Sequence, residues 1–326
     1  MFERLCLFVF VAFLVCLQAW LTPLNLAANE IMTTTYTYKT IGDLAIKVDV
    51  LRPDDDVKRP VLVNLHGGAL IMGNRDHSGR LMDRMLDAGY AVVTIDYRLA
   101  PETKLPEIVE DVVDAFRWIR GAGAELAHLD TSKIAVTGGS AGGYLTLVSG
   151  YLVQPRPTVL VSVYGYGDLI GDWYAKPSPF YLAQQGKAMT DAQARTLADG
   201  PAIADSQDRK GDGGAFYRYC RRRGLWPKYV GGFDPSTEAE KFFPWMPVKN
   251  VTEQYPPTML IHGQQDTDVP HEQSVLMAEQ FERHGVPHRF LSIENADHGL
   301  RGISSKDKDR IYGEAYNFVL KYMQVE

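Results

Sequence analysis

Cysteine is nearly missing from this chain: three in 326 residues, Cys6, Cys16 and Cys220. Two of them sit in the first thirty residues. A chain that sheds that stretch keeps Cys220 alone and forms no internal disulfide, so it must rely on its core. Cys220 follows Phe216-Tyr217-Arg218-Tyr219 and reads as a small core residue rather than a nucleophile. A basic excess is missing too: 34 Lys and Arg against 40 Asp and Glu leave a net charge of -6. That argues against nucleic acid as a partner. There is no internal repeat or low-complexity tract, and Gly 29 with Pro 18 shows no collagen-like bias. No metal-ligand cluster and no nucleotide fingerprint is visible, so neither a metal nor a cofactor is expected. What is present, 45% hydrophobic and 23% charged residues, describes a folded chain of one large α/β domain or two smaller ones.

The amino terminus departs from that average. Arg4, the apolar run 5–17 and then Gln18, Thr22, Pro23 and Asn25 match the three zones of a secretory signal. We therefore expect a signal peptide over 1–28 and a secreted or periplasmic destination. The alternative is an uncleaved membrane anchor over 5–26, and only then does a membrane become a partner.

Beyond it, all-apolar runs alternate with amphipathic segments. Val61–Leu65, Ala91–Ile95, Ile134–Val136, Thr158–Val163, Thr258–Ile261 and Arg289–Ile293 suit strands covered on both faces. Pro106–Arg120, Glu272–His284 and Lys306–Tyr322 carry helical apolar spacing between them. Such alternation predicts a mostly parallel, doubly wound α/β sheet. Thr34–Tyr38 and Leu44–Val50 alternate polar with apolar, as an antiparallel edge hairpin would. The segment from about 167 to 250 breaks the rhythm. It is aromatic, with helices expected at Asp191–Ala198 and Gly214–Arg223, and reads as a cap or lid insertion in a catalytic domain spanning 29–326. Its aromatics are expected to form the insertion's own small core. Arg218, Arg221, Arg222 and Arg223 are expected on a solvated helix face.

The chemistry-bearing residues sit where strands end. Ile134–Thr137 runs into Gly138-Gly139-Ser140-Ala141-Gly142-Gly143 and then a helical stretch. This is G-x-S-x-G between strand and helix, a nucleophile elbow, in which a sharp turn lifts the serine into the open. Earlier, Val61–Leu65 ends in His66-Gly67-Gly68-Ala69. Acyl transfer needs backbone N–H donors aimed at the developing oxyanion, which assigns the N–H groups of Gly67, Gly68 and Ala141. His66 fits a loop-orienting hydrogen-bonder. In this arrangement the chain order is serine, acid, histidine. Thr258–Ile261 leads to Asp266 as the acid, with Asp268 as its rival. His298 lies on the loop after the last strand and is the base.

His66-Gly67-Gly68, Asp96-Tyr97-Arg98-Leu99-Ala100-Pro101-Glu102 and Gly138–Gly143 together resemble the hormone-sensitive-lipase-like group of α/β-hydrolase carboxylesterases. The resemblance covers about 40–165 and 256–325. It implies an α/β-hydrolase fold and a serine hydrolase that cleaves carboxylic esters through an acyl-enzyme on Ser140. Many members have a third glycine at the position of Ala69, a mild change if the backbone keeps negative φ. Within the Asp96–Glu102 motif, Arg98 and Glu102 are expected to pair. Leu70, Tyr164 and Tyr166 are expected to contact substrate, an ester of short acyl chain or an acylated carbohydrate. The competing readings are a deacetylase or feruloyl-type esterase on carbohydrate, a serine peptidase, and a non-catalytic ligand-binding relative.

Overall fold

Runs that are apolar at every position become the inner strands of one eight-stranded sheet, and the residues on its two sides alternate with period two. In the computed structural model, which describes residues 30–75, 79–185 and 189–323, Val61 and Val63 join one core and Leu62 the other. The expected leader over 1–28 and the alternative anchor over 5–26 lie outside the described residues. No helix among those described is long and apolar enough to cross a membrane.

The chain opens with β1 (Ile31–Ile41), β2 (Leu44–Pro53) and β3 (Arg59–Leu65), then α1 (Arg80–Asp87), β4 (Ala91–Ile95), α2 (Leu105–Arg120) and α3 (Ala122–Leu126). It continues through β5 (Leu129–Gly139), α4 (Ala141–Leu152) and β6 (Val159–Val163). The segment 167–250 then contributes α5 (Asp172–Ala175), α6 (Pro179–Ala183), α7 (Asp191–Ala198) and α8 (Gly213–Arg221), with short 3-10 and π turns and no strand among its described residues. The chain ends with β7 (Thr258–Gly263), α9 (Glu272–Arg283), β8 (His288–Ile293) and α10 (Ser305–Met323).

Strand order is β1-β2-β4-β3-β5-β6-β7-β8. The first three are joined by antiparallel pairing and the rest are parallel. Registers such as Val63↔Val136 and Thr137↔Val161 align the carboxyl ends of β3, β5, β7 and β8 along one rim, where an open α/β sheet builds its sites. Leu81, Met82 and Met85 of α1 and Ile311, Ala315 and Val319 of α10 cover one face. Ile108, Val112 and Phe116 of α2, with residues of α4 and α9, cover the other.

Two boundaries differ from expectation for identifiable reasons. β5 starts five residues earlier than its apolar run, because Arg59 and Pro60 of β3 pair with Leu129 and Asp130 before a register shift. β1 reaches well beyond Thr34–Tyr38, since pairing along β2 satisfies its backbone whatever its side chains.

The aromatics of 167–250 do not form a core of their own. Tyr174 stacks on Trp226 with centroids 4.1 Å apart, and Tyr166 meets both edge-on. Tyr166 in turn stacks on Tyr144 of α4 at 4.9 Å. The insertion is thus welded to one face of the sheet by a continuous apolar layer. Cys220 lies inside that layer, and burial pushes its thiol well above the usual range.

Candidate active site

β5 delivers Ser140 at a sharp turn into α4, with φ 58 and ψ -122. An L-residue adopts that region only under constraint. The constraint is close packing: a Cβ on Gly142 would stand 1.9 Å from the Leu65 carbonyl oxygen, so the first turn of α4 presses directly on β3. Ser140 donates its own N–H to Val163 O at 2.9 Å. Ala141 opens α4, so its N–H has no partner within the helix.

The loop after β3 runs beside this elbow. A Cβ on Gly67 would sit 2.8 Å from Gly139 O and 3.4 Å from Ser140 Cβ. Gly68, at φ +110, is turned so tightly that a Cβ there would meet Met72 O at 2.1 Å, and only glycine fits. Ala69 and Leu70 follow at φ 60 and 62. This corrects the expectation of negative φ at Ala69, whose methyl group instead costs about 1 kcal/mol of left-handed strain. Two anchors hold the loop in place. Trp226 Nε1 donates to Ala69 O at 3.1 Å, and Arg209 donates to Ile71 O. His66 stacks on Tyr97 at 4.1 Å and its Nδ1 lies 2.8 Å from Gly67 O, so it orients the loop.

From the other side of the rim, the turn after β7 carries Asp266 and the turn after β8 carries His298. His298 Nε2 is 3.1 Å from Ser140 Oγ, and Nδ1 is 2.8 Å from Asp266 Oδ2. A carboxylate only accepts, so Nδ1 bears the proton and Nε2 is free to accept from the serine hydroxyl. The Asp266 side chain is fully buried and takes N–H bonds from Asp268 and Val269 at 2.9 and 2.8 Å on Oδ1. His262 Nε2 lies 3.3 Å from its Oδ2, and Ser274 Oγ fixes the far side of that ring at 2.7 Å. Burial alone would raise the Asp266 carboxyl, but the His262 and His298 N–H groups outweigh it and hold it far below the usual carboxylate range. Burial likewise opposes charge on His298, yet the hydrogen bond and charge of Asp266, with Asp268 adding, raise its pKa above the ordinary imidazole value.

Ser140, His298 and Asp266 therefore meet in one hydrogen-bonded line, in a cleft of about 470 Å³ that Gly67, Gly68, Met72 and Tyr217 help to line. Of the three expected contacts, two are revised. Tyr164 lines the cleft, its ring edge-on to His298 at 5.0 Å. Tyr166 does not, being fully buried in the aromatic layer. Leu70 does not either: the left-handed turn sends its side chain into the core and leaves Ala69 facing the cleft. Asp268, the rival acid, points its Oδ2 to within 3.8 Å of His298 Nε2. It approaches the nitrogen that faces the serine, not the one Asp266 holds.

The expected Arg98–Glu102 pair is not formed. Arg98 makes a two-pronged contact with Asp111 of α2, at 2.7 and 2.8 Å. Glu102 does the same with Arg209 of the insertion, at 2.8 and 2.7 Å. Each fork finds a carboxylate it can meet in plane, which a partner four residues along a turn does not offer. Nor is the whole arginine cluster solvated: Arg221 is 3% exposed, while Arg223 remains outside. Among the described residues, the acidic group Glu110, Asp111 and Asp114 is close enough to share a cation, and the Lys39 ammonium already sits among them at 2.6–3.2 Å. The sequence pattern assigns no role at the site to His262, Arg209 or Trp226. His262 directly before Gly263 at a strand end was the one signal available.

A family model described as the alpha/beta hydrolase fold matches residues 62–301, which takes in the elbow, the glycine loop and both later turns. The chain belongs to that family. Within it, this α/β-hydrolase groups with the hormone-sensitive-lipase-like members that its motifs resemble. It is 27% identical over 264 residues to the esterase LipC of Mycobacterium tuberculosis, covering 79% of this chain and 58% of LipC. A non-reducing polyketide synthase of Preussia isomera, Preu3, is 26% identical over 337 residues, covering 88% of this chain and 13% of the synthase. The chain thus spans less than two thirds of the length of either relative. Among solved structures, a Staphylococcus aureus protein of unknown function superposes with a TM-score of 0.70 at 22% identity, covering 89% of this chain and 100% of that one.

Proposed function

We propose that this α/β-hydrolase cleaves carboxylic esters of short acyl chain through an acyl-enzyme on Ser140. The observation that carries the proposal is the line from Ser140 Oγ through His298 to Asp266, set between the glycine loop and the start of α4. Ser140 Oγ attacks the ester carbonyl carbon and its proton passes to His298 Nε2. The N–H groups of Gly67, Gly68 and Ala141 receive the oxyanion. The carbon–oxygen bond to the alcohol then breaks, and the departing oxygen takes the proton from Nε2. Water attacks the acyl carbonyl, gives its proton to Nε2, and Ser140 Oγ leaves with that proton as the acid is released. Asp266 keeps the imidazole in the required tautomer throughout. Short acyl groups are favoured because the aromatics that could wall a long apolar slot, Tyr166, Tyr174 and Trp226, are consumed in packing.

A fluorophosphonate probe is expected to label Ser140, read by mass spectrometry of the peptide. Across p-nitrophenyl esters from acetyl to decanoyl, kcat/KM is expected to fall by at least about tenfold at the long end. An unlabelled Ser140 would overturn the reading. The acid limb of activity follows from His298, which must be neutral to take the serine proton. Its raised pKa leaves it protonated to higher pH, so kcat/KM should reach half its plateau above pH 6.5 and decline as pH falls. A half-point below 6.5 would mean that burial of His298 outweighs the hydrogen bond and charge of Asp266.

A further inference from the structure

The insertion spends an unusual amount of polar machinery on one oxygen atom. Asp268 Oδ1 accepts from Tyr181 Oη at 3.0 Å, Tyr217 Oη at 2.7 Å and Arg221 Nη1 at 2.7 Å. The Arg221 guanidinium is itself within 4.9–5.6 Å of the ring centres of Trp173, Tyr174, Tyr181 and Tyr217. One carboxylate oxygen is thereby locked. The other, Oδ2, takes no hydrogen bond from the described residues and faces the cleft 3.8 Å from His298 Nε2. Arg221 offsets the charge of the pair, which leaves Oδ2 as a fixed acceptor rather than a naked anion.

That position is chemically particular. The departing alcohol oxygen must come within hydrogen-bond reach of His298 Nε2 to be protonated. When gauche to it, a hydroxyl on the next carbon of the alcohol lies about one hydrogen-bond length (~2.8 Å) from that oxygen. It therefore falls beside Oδ2, with its O–H free to donate. Resting on the esterase reading above, we propose that Asp268 selects esters whose alcohol bears a hydroxyl adjacent to the esterified oxygen, as partly acylated sugars and other polyols do. Asp268 is in this view a specificity-determining residue, and the insertion acts on the substrate through it.

The test compares 2-hydroxyethyl acetate with 2-methoxyethyl acetate and propyl acetate, each rate divided by its alkaline hydrolysis rate. In the unaltered protein the hydroxyethyl ester should exceed both others in kcat/KM by about ten- to a hundredfold, the range for one hydrogen bond to a charged acceptor. In Asp268→Asn the amide oxygen must face the three donors, turning its NH2 into the cleft. The hydroxyethyl-to-methoxyethyl ratio should then drop to one or below. A ratio near one in the unaltered protein overturns the inference, as does a ratio that persists in Asp268→Asn, which would mark a steric preference. If Asp268→Asn does not fold, the propyl comparison in the unaltered protein decides alone. Failure of the parent reading looks different: no acetate is turned over and the fluorophosphonate leaves Ser140 unlabelled.

Discussion

Ser140→Ala lowers kcat on p-nitrophenyl acetate by about 10⁵–10⁶-fold and unfolds at the same temperature as the parent: that is the largest effect we expect. In the proposed acyl-enzyme mechanism the size follows from losing the atom that forms the covalent intermediate, which leaves binding and oxyanion donors to provide the residual rate. The unchanged stability follows from local geometry. Ser140 Oγ bonds His298 Nε2 at 3.1 Å at a partly open site, and alanine keeps the Cβ that already tolerates φ 58. The elbow is held instead by Gly142 against Leu65 and by the Ser140 N–H to Val163 O, none of which the substitution touches. Steady-state kinetics and thermal circular dichroism check both halves. Substantial turnover by the folded variant would remove Ser140 from the mechanism.

The second large effect is on stability. Arg221→Met is expected to cost about 3–5 kcal/mol, lowering Tm by roughly 6–15 °C. Methionine matches much of the volume and the apolar stem, so the loss comes from polar groups stranded when the guanidinium goes. Asp268 loses the cation at 2.7 Å, its main-chain carbonyl loses a donor at 3.0 Å, and Tyr217 loses the Nη1 contact at 2.7 Å. Four aromatic faces lose a cation as well. Asp268 is 16% exposed, so cleft water relieves part of the cost and places the expectation toward the lower figure. Differential scanning calorimetry reads it directly. A Tm within a degree or two of the parent would mean that the pair is already solvated and does not tie the insertion to the site.

These two residues mark opposite ends of what a linear reading can reach. Ser140 is legible because its chemistry is local: the glycines that permit the turn, the strand before it and the helix after it are all within a dozen residues. Asp266 and His298 are legible for a related reason, since each follows a strand whose all-apolar pattern is plain, and the order of strands along the chain brings their ends to one rim. The eight-stranded sheet was legible in kind, and its strand limits less so, because β1 and the start of β5 are set by their neighbours' hydrogen bonds rather than by their own side chains.

Arg221 was legible as a charge and nothing more. Its neighbours Arg218, Arg222 and Arg223 suggest solvent, and only packing against Tyr174, Tyr181 and Tyr217 puts this one inside. Glu102 shows the same limit, its partner Arg209 lying 107 residues away. So does Tyr166, two residues from the cleft-lining Tyr164 yet sealed beneath it.

The sequence by itself determined the architecture, the elbow, the order of the three aligned residues and the glycine loop, because period-two and period-3.6 patterns and steric demands on turns are properties of neighbouring residues. Tertiary structure alone decided where the second carboxylate goes, turning Asp268 into the cleft on the serine side of the imidazole. It also decided that Leu70 and Tyr166 belong to the core, and that the segment 167–250 braces the glycine loop through Trp226 and Arg209. Those outcomes depend on where distant side chains can meet in plane and out of water, and that is settled only when the sheet, the helices and the insertion close on one another.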